Sequence, residues 1–203
     1  HYHKNYNGIE ISVYLRQDDA VLAERYLQAT EHYLALFSKQ LGAYPYQKFA
    51  TVESFWETGW GMPSFTLLGS RVMRLPFIID SAFAHEIMHN WWGNGVYVDT
   101  RMGNWSEGLT AYLADHAIKA QQNEDAAYRR DQLQKFSHFV TQQQDAALKD
   151  FTSRHDQTTQ AIGYGKSLML FHMLRQHIGD ALFYQALQDF FKDYQFRAAS
   201  FSE

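Results

Sequence analysis

The longest regular alternation of apolar and polar positions runs over residues 18–41, where Leu22, Tyr26, Ala29, Tyr33, Leu36 and Phe37 recur close to every 3.6 residues. That spacing predicts an amphipathic helix, with Asp18 or Asp19 as its cap and Gly42 as its stop. Ahead of it, residues 8–15 (GIEISVYL) alternate with β-branched side chains and read as a strand. This strand is either the tail of a preceding β domain over residues 1–17 or an edge of the domain that follows. Past the helix, residues 48–55 (KFATVESF) form a second alternating run, and residues 64–69 a third. Between these two lies WETGWGMP, residues 56–63, which reads by default as a glycine-rich turn. Its functional alternative is an edge strand along which a peptide could lie, adding main-chain hydrogen bonds to the sheet.

From residue 81 onwards the period is helical almost throughout. Residues 81–92 predict a helix capped by Asp80 or Ser81, and residues 93–103 a return connection. A second helix starts at Asn104 or Ser106 and buries Leu109, Tyr112, Leu113 and Ala117. Residues 125–148 predict an amphipathic helix with Tyr128, Leu133, Phe136, Phe139 and Val140 on its apolar side, and residues 150–160 a polar loop. Residues 161–178 predict a helix burying Leu168, Leu170, Phe171 and Leu174. After Gly179 comes a last helix over residues 180–194, with Leu182, Phe183, Leu187, Phe190 and Phe191. The fold class expected is α+β, mostly helical, with a few short strands before residue 81.

The chemistry concentrates in SAFAHEIMHNWWGNGVYVDTRMGNWSEGL, residues 81–109. His85 and His89 are four apart and so share one face of a helix, where both imidazoles can reach a single ion. Glu86 stands about 100° round the helix from His85, beside the ligands rather than among them, which suits a base acting on metal-activated water. A lone histidine in so apolar a helix would be a hydrogen-bonded core residue. Two histidines flanking a glutamate are costly to bury unless an ion or hydrogen bonds satisfy them. Two imidazoles with one further carboxylate, Glu107, make the donor set of an open catalytic zinc site.

Composition narrows the field. The chain has 203 residues, 46% of them hydrophobic, enough for an ordinary domain with a core. Its 18 basic and 22 acidic residues leave a net charge of −4, and no Lys/Arg cluster stands out, which argues against a nucleic-acid partner. The absence of cysteine excludes disulfides, thiolate metal sites and cysteine nucleophiles. It leaves the compartment open. No apolar run is long enough for a membrane span, and HYHKNYNG does not resemble a signal peptide. The start at His1 is what a segment of a longer protein would show, so neighbouring domains are expected.

Three motifs in order carry a family resemblance: HEIMHNWWGN, NWSEGLTAYLAD and IGYGKSLMLFHML. Together they resemble the aminopeptidase N-like zinc metallopeptidases, gluzincins with a thermolysin-like catalytic domain, over roughly residues 41–196. The resemblance implies that domain over residues 18–203, with one zinc ion held by His85, His89 and Glu107. It further implies Glu86 as general base, Tyr164 as donor to the oxyanion, and a peptide substrate cut in aminopeptidase fashion. Without the family, Tyr164 is an ordinary aromatic between glycines.

Two departures accompany the match. The stretch between His89 and Glu107 is one residue shorter than the family pattern, a deletion to be absorbed within residues 93–103, with Asp99 as fallback ligand. Where the family has Gly-x-Met-Glu-Asn, whose glutamate binds the substrate's amino terminus, this chain has Gly61-Met62-Pro63-Ser64. Gly61 and Met62 keep their places, while the carboxylate would have to come from Glu53 or Glu57. Asp99 and Asp115 are the candidates for groups orienting the histidines. The competing readings are an endopeptidase, a zinc-bearing scaffold that binds peptides with little catalysis, and a hydrolase of some non-peptide bond.

Overall fold

A computed structural model describes all residues from 1 to 203. Two compact units divide the chain, residues 1–95 and residues 96–203.

The first unit is a sheet backed by helices. Its strands are β1 (Tyr2–Tyr6), β2 (Ile9–Tyr14), β3 (Lys48–Ser54), β4 (Gly59–Met62) and β5 (Phe65–Gly69), in the order β1-β2-β3-β5-β4. The inner pairs β2–β3 and β3–β5 are parallel, and both edge strands run antiparallel to their neighbours. Helix α1 (Ala20–Leu41) makes the crossover between β2 and β3, capped by the Asp19 carboxylate, which accepts from the Leu22 amide at 3.0 Å. Its predicted stripe is buried apart from Leu36, and its rings build the core: Tyr26 meets Phe83 edge-on, and Phe37 meets Trp91. The strand over residues 8–15 lies inside this sheet, between β1 and β3. β1 itself went unforeseen because YHKNY is polar. The signal lay in Asn7-Gly8, both at positive φ (49° and 86°), as a two-residue type I′ hairpin turn requires.

After a single turn of 3₁₀ helix (Val72–Arg74) and a kinked turn at Ile79–Phe83, the chain enters helix α2 (Ala84–Met88). This helix is shorter than the expected 81–92. Asp80 and Ser81 do not cap it: the helix starts after Phe83 with no side-chain cap, and the Ser81 hydroxyl donates backwards to the Phe77 carbonyl at 2.8 Å. His89 is its C-terminal cap residue, and the chain then turns into a two-residue strand, β6 (Trp92–Gly93).

The second unit is helical. It opens with β7 (Val96–Val98) and a 3₁₀ turn (Thr100–Met102). Then come α3 (Ser106–Thr110), a π-type turn over Ala111–His116 and α4 (Ala117–Gln121), which together form one continuous rod. Helices α5 (Asp125–Phe139), α6 (Gln157–Gln160), α7 (Ser167–Ile178) and α8 (Asp180–Tyr194) follow, and α6 runs into α7 through a second π-type turn, Ala161–Lys166. Strand β8 (Ala198–Ala199) returns to pair in parallel with β7.

Three expectations are corrected here. Helix α5 stops at Phe139, where the β-branched Val140 turns extended, and none of its residues is fully buried. The loop expected over residues 150–160 is helical from Gln157, because Asp156 and Thr159 form a reciprocal capping box. On α7 only Leu168 of the four expected core residues is buried, Leu170 and Leu174 being 38% and 44% exposed. No helix of the chain is long and apolar enough to cross a membrane.

Candidate metal centre

The helix that carries His85, Glu86 and His89 is fixed from three sides by its own apolar residues. Ala84, Ile87 and Met88 are fully buried, Trp91 donates its indole N–H to the Gly42 carbonyl at 3.0 Å, and the three polar residues stand half-buried on the remaining face. The His85 and His89 rings lie 4.8 Å apart, as the four-residue spacing requires. His89 Nδ1 is 3.0 Å from the carbonyl oxygen of Trp92. A carbonyl only accepts, so Nδ1 carries the proton and Nε2 is left with the lone pair that a metal needs.

The edge strand β4 lies against the same face. A methyl carbon placed on Gly61 would stand 2.7 Å from Glu86 Oε2 and 3.2 Å from His89 Cβ, and one on Gly59 would stand 3.0 Å from Glu86 Oε1. A side chain at either position would therefore push on the Glu86 carboxylate, slightly at Gly59 and more at Gly61. Alternation along the strand sends Trp60 the other way, where it is half exposed. So the WETGWGMP segment contains an edge strand, the alternative to a plain turn, and Gly61 and Met62 lie on it, paired with Thr66 and Phe65.

Two asparagines that sequence reasoning passed over hold this arrangement. Asn90 is wholly buried; its amide N–H donates to the Ile87 carbonyl at 2.9 Å, and its Oδ1 accepts from the Ser64 amide at 2.8 Å and the Tyr44 hydroxyl at 3.3 Å. Ser64 has φ of 67°, the strained corner of the β4–β5 hairpin, so Asn90 clamps that corner to the helix. Asn94 reaches the Gly61 carbonyl at 3.4 Å, while its own carbonyl accepts from Tyr46 at 2.8 Å. The signal was present in HNWWGN, but an asparagine's partner is invisible until distant chain is brought beside it.

Glu107 lies in the first turn of α3, on a start fixed by Asn104, whose Oδ1 accepts from the Ser106 amide at 3.1 Å and hydroxyl at 2.8 Å. Gly108 beside it is obligatory in another sense: an added methyl would fall 2.1 Å from Ser167 Oγ and 2.2 Å from its Cβ, so the Ser167 side chain packs directly on the α3 backbone here. Gly163 plays the same part under the Phe151 ring, which a methyl would meet at 2.1 Å, and Tyr164 follows in the π-type turn.

His85, His89 and Glu107 form a group that can hold a metal ion: each offers one ligand atom, and these atoms lie within 4.8 Å of one another. Two imidazoles and a carboxylate suit zinc and leave a position for water. The fallback ligand Asp99 is engaged elsewhere. It caps the 3₁₀ turn and grips Arg101 through both oxygens, at 2.9 and 2.6 Å, and that guanidinium holds its carboxyl below the usual range. The orienting group found for His89 is the Trp92 carbonyl.

The two glutamates expected near the substrate also have other partners. Glu53 sits on β3, with β5 between it and β4. It accepts from the Arg16 amide and the Arg74 guanidinium, each at 2.7 Å. Burial opposes its ionisation, but these bonds outweigh it and hold its carboxyl below the usual range. Glu57 accepts from the Arg71 and Val72 amides at 2.9 and 3.2 Å, seating the 3₁₀ turn that follows β5.

Among known proteins, the family model of the peptidase family M1 domain matches residues 78–203. The fold is similar to that of an M1 zinc metallopeptidase from Deinococcus radiodurans, with a TM-score of 0.73 and 21% identity over 96% of this chain and 42% of that one. It is also similar to leukotriene A4 hydrolase from Saccharomyces cerevisiae, with a TM-score of 0.71 and 16% identity over 99% of this chain and 34% of that one. No curated protein matches. The chain thus spans less than half the length of these solved relatives. With a match over more than half of its residues, enclosing both the paired histidines and Glu107, the chain belongs to peptidase family M1.

Proposed function

We propose that this chain is the catalytic part of a zinc-dependent peptidase, and that the grouping of His85, His89 and Glu107 is the observation that carries this reading. When bound, zinc supplies Lewis acidity, acidifying water and polarising a carbonyl. The protein's own part begins with the edge strand, whose free side receives the peptide backbone in extended form next to Glu86. The Glu86 carboxylate takes the proton of the attacking water and returns it to the leaving nitrogen, so a single group acts as base and then as acid. The Tyr164 hydroxyl donates to the oxygen on which charge develops, a contribution of roughly 3 kcal/mol for one such donor.

Recognition of a free amino terminus finds less support. The altered segment Gly61-Met62-Pro63-Ser64 brings no carboxylate, and Glu53 and Glu57 are engaged in holding their own loops. This favours cleavage that tolerates a blocked terminus over strict amino-terminal trimming. The test uses Glu86→Gln. The variant should retain stoichiometric zinc by elemental analysis while peptide hydrolysis drops by several orders of magnitude, and undiminished turnover would sink the mechanism. With the active protein, an acetylated peptide cut as fast as its free counterpart supports internal cleavage.

A further inference from the structure

The edge strand β4 brings its peptide groups to the proposed base in a fixed register. The Gly69 amide donates to the Thr58 carbonyl directly opposite, at 2.9 Å. By antiparallel alternation Trp60 and Met62 then turn their main-chain groups towards β5, while Gly59 and Gly61 turn theirs to the outer edge of the sheet. On that side the Gly61 carbonyl meets the Asn94 amide at 3.4 Å. The two residues with which a peptide would pair are thus the two that lie against the Glu86 carboxylate.

The strand is short, Gly59–Met62, and pairs with one neighbour alone, so its distance from Glu86 depends on the corner that follows it. Pro63 has no amide to give, and Ser64, at φ 67°, has all its polar atoms engaged. Its carbonyl accepts from the Ala50 amide at 3.1 Å and its hydroxyl oxygen from the Lys48 ammonium at 2.9 Å, both on β3. Those bonds tie the corner to the sheet. The Ser64 amide reaches the other way, to Asn90 Oδ1 at 2.8 Å, and Asn90 is anchored in turn on the Ile87 carbonyl at 2.9 Å. Asn90 is wholly buried, so water does not compete for this bond. Without it the hairpin keeps its place on the sheet but loses its spacing from the helix that carries Glu86.

We propose that Asn90 is a positioning residue for the reaction: through Ser64 it sets the distance between a peptide lying on β4 and the Glu86 carboxylate. The role rests on the peptidase reading, whereas the tether itself is measured without turnover, by NMR hydrogen exchange of the Ser64 amide in the full chain. Asn90→Ala should speed that exchange at least roughly tenfold and leave zinc stoichiometric by elemental analysis. It should lower kcat by up to about a hundredfold, the cost of a misplacement of about 1 Å, with KM within about twofold of the parent. Asn90→Asp keeps an oxygen for Ser64 but sets another against the Ile87 carbonyl, so it should recover most of the lost kcat while melting below the parent. Tyr44→Phe removes the second bond to Asn90 Oδ1 and should lower the melting temperature with kcat near that of the parent. Equal falls in kcat in Tyr44→Phe and Asn90→Ala would make Asn90 a structural residue only and overturn the proposal. So would a loss confined to KM, or a Ser64 amide that exchanges alike in the parent and Asn90→Ala. If alanine prevents folding, Asn90→Asp decides: a protected Ser64 amide with most of the kcat supports the role, and the same protection with kcat lost overturns it. A parent that cuts no peptide would overturn the peptidase reading and the positioning role together, while faster exchange in Asn90→Ala would leave the tether standing.

Discussion

A single methyl group measures how closely the edge strand approaches Glu86. In Gly61→Ala the added carbon would meet a carboxylate oxygen at 2.7 Å, which the strand or the base must yield to. Because β4 is an edge strand, the yielding costs little stability, and because Glu86 is the proposed base, it costs rate. The expected result is a fall in kcat of at least roughly tenfold, about 1.4 kcal/mol of barrier, with a melting temperature near that of the parent. A fall in KM alone, or none, would contradict the proximity argument. A second residue gives a pH dependence. His116 is 4% exposed. Burial first and the Arg129 guanidinium second, 2.6 Å from its Nε2, hold its imidazole down to about 4, with His172 adding to the effect and Asp125 opposing it. The unfolded chain protonates this group near its ordinary value. Stability is therefore whole above that value and falls as the pH drops towards about 4, by roughly 3 kcal/mol at most. Urea midpoints measured over that range should decline less steeply in His116→Gln than in the parent. At this scale the sequence was legible where chemistry is local: His85, Glu86 and His89 are spaced by the helix itself. It was silent on Asn90, Asn94 and the Trp92 carbonyl, whose importance depends on strands and turns supplied by other parts of the chain.

The elements repeat one device. The turn before α2 is kinked, and π-type turns follow α3 and precede α7, so each residue proposed for chemistry lies within a few positions of a break in regular helix. Such breaks redirect side chains without ending the rod and are common at functional sites. They also explain several misjudged boundaries, since a pure 3.6-residue period cannot foresee a register change. The hydrophobic stripe overstated α5 and α7 for a different reason. A stripe reports an apolar face but not whether this chain supplies something to cover it, and Leu170, Met173 and Leu174 remain exposed. Where two helices do meet, the sequence left a mark in Glu107-Gly108. Replacing Gly108 by alanine drives a methyl into Ser167 and should destabilise the second unit by about 1–3 kcal/mol. Calorimetry should show the loss in the parent background and partial recovery in the double variant with Ser167→Gly. Additive losses would mean that the contact is not the cause.

For the molecule as a whole, a bound metal would also act as a stability term. An ion bound by the folded chain alone shifts the unfolding equilibrium by mass action, about 2.7 kcal/mol at a hundredfold excess over its Kd. Chelation should therefore lower the melting temperature and zinc should restore it, whereas Glu107→Ala should melt at the same temperature with and without zinc. Equal responses in parent and variant would remove Glu107 from the ligand set. The fold class was legible because strands cluster before residue 81 and helical period dominates after it. The division at residue 95 was not legible, because it falls in a short connection with no change of composition. The pairing of β7 with β8 sets Tyr97 beside Ala198 and Val98 beside Ala199. Everything from α3 to α8 thus enters and leaves through one doorway. A cassette of that kind can be transplanted by splicing at a single point, or rewired with new ends cut elsewhere and the old ones joined by a short tether.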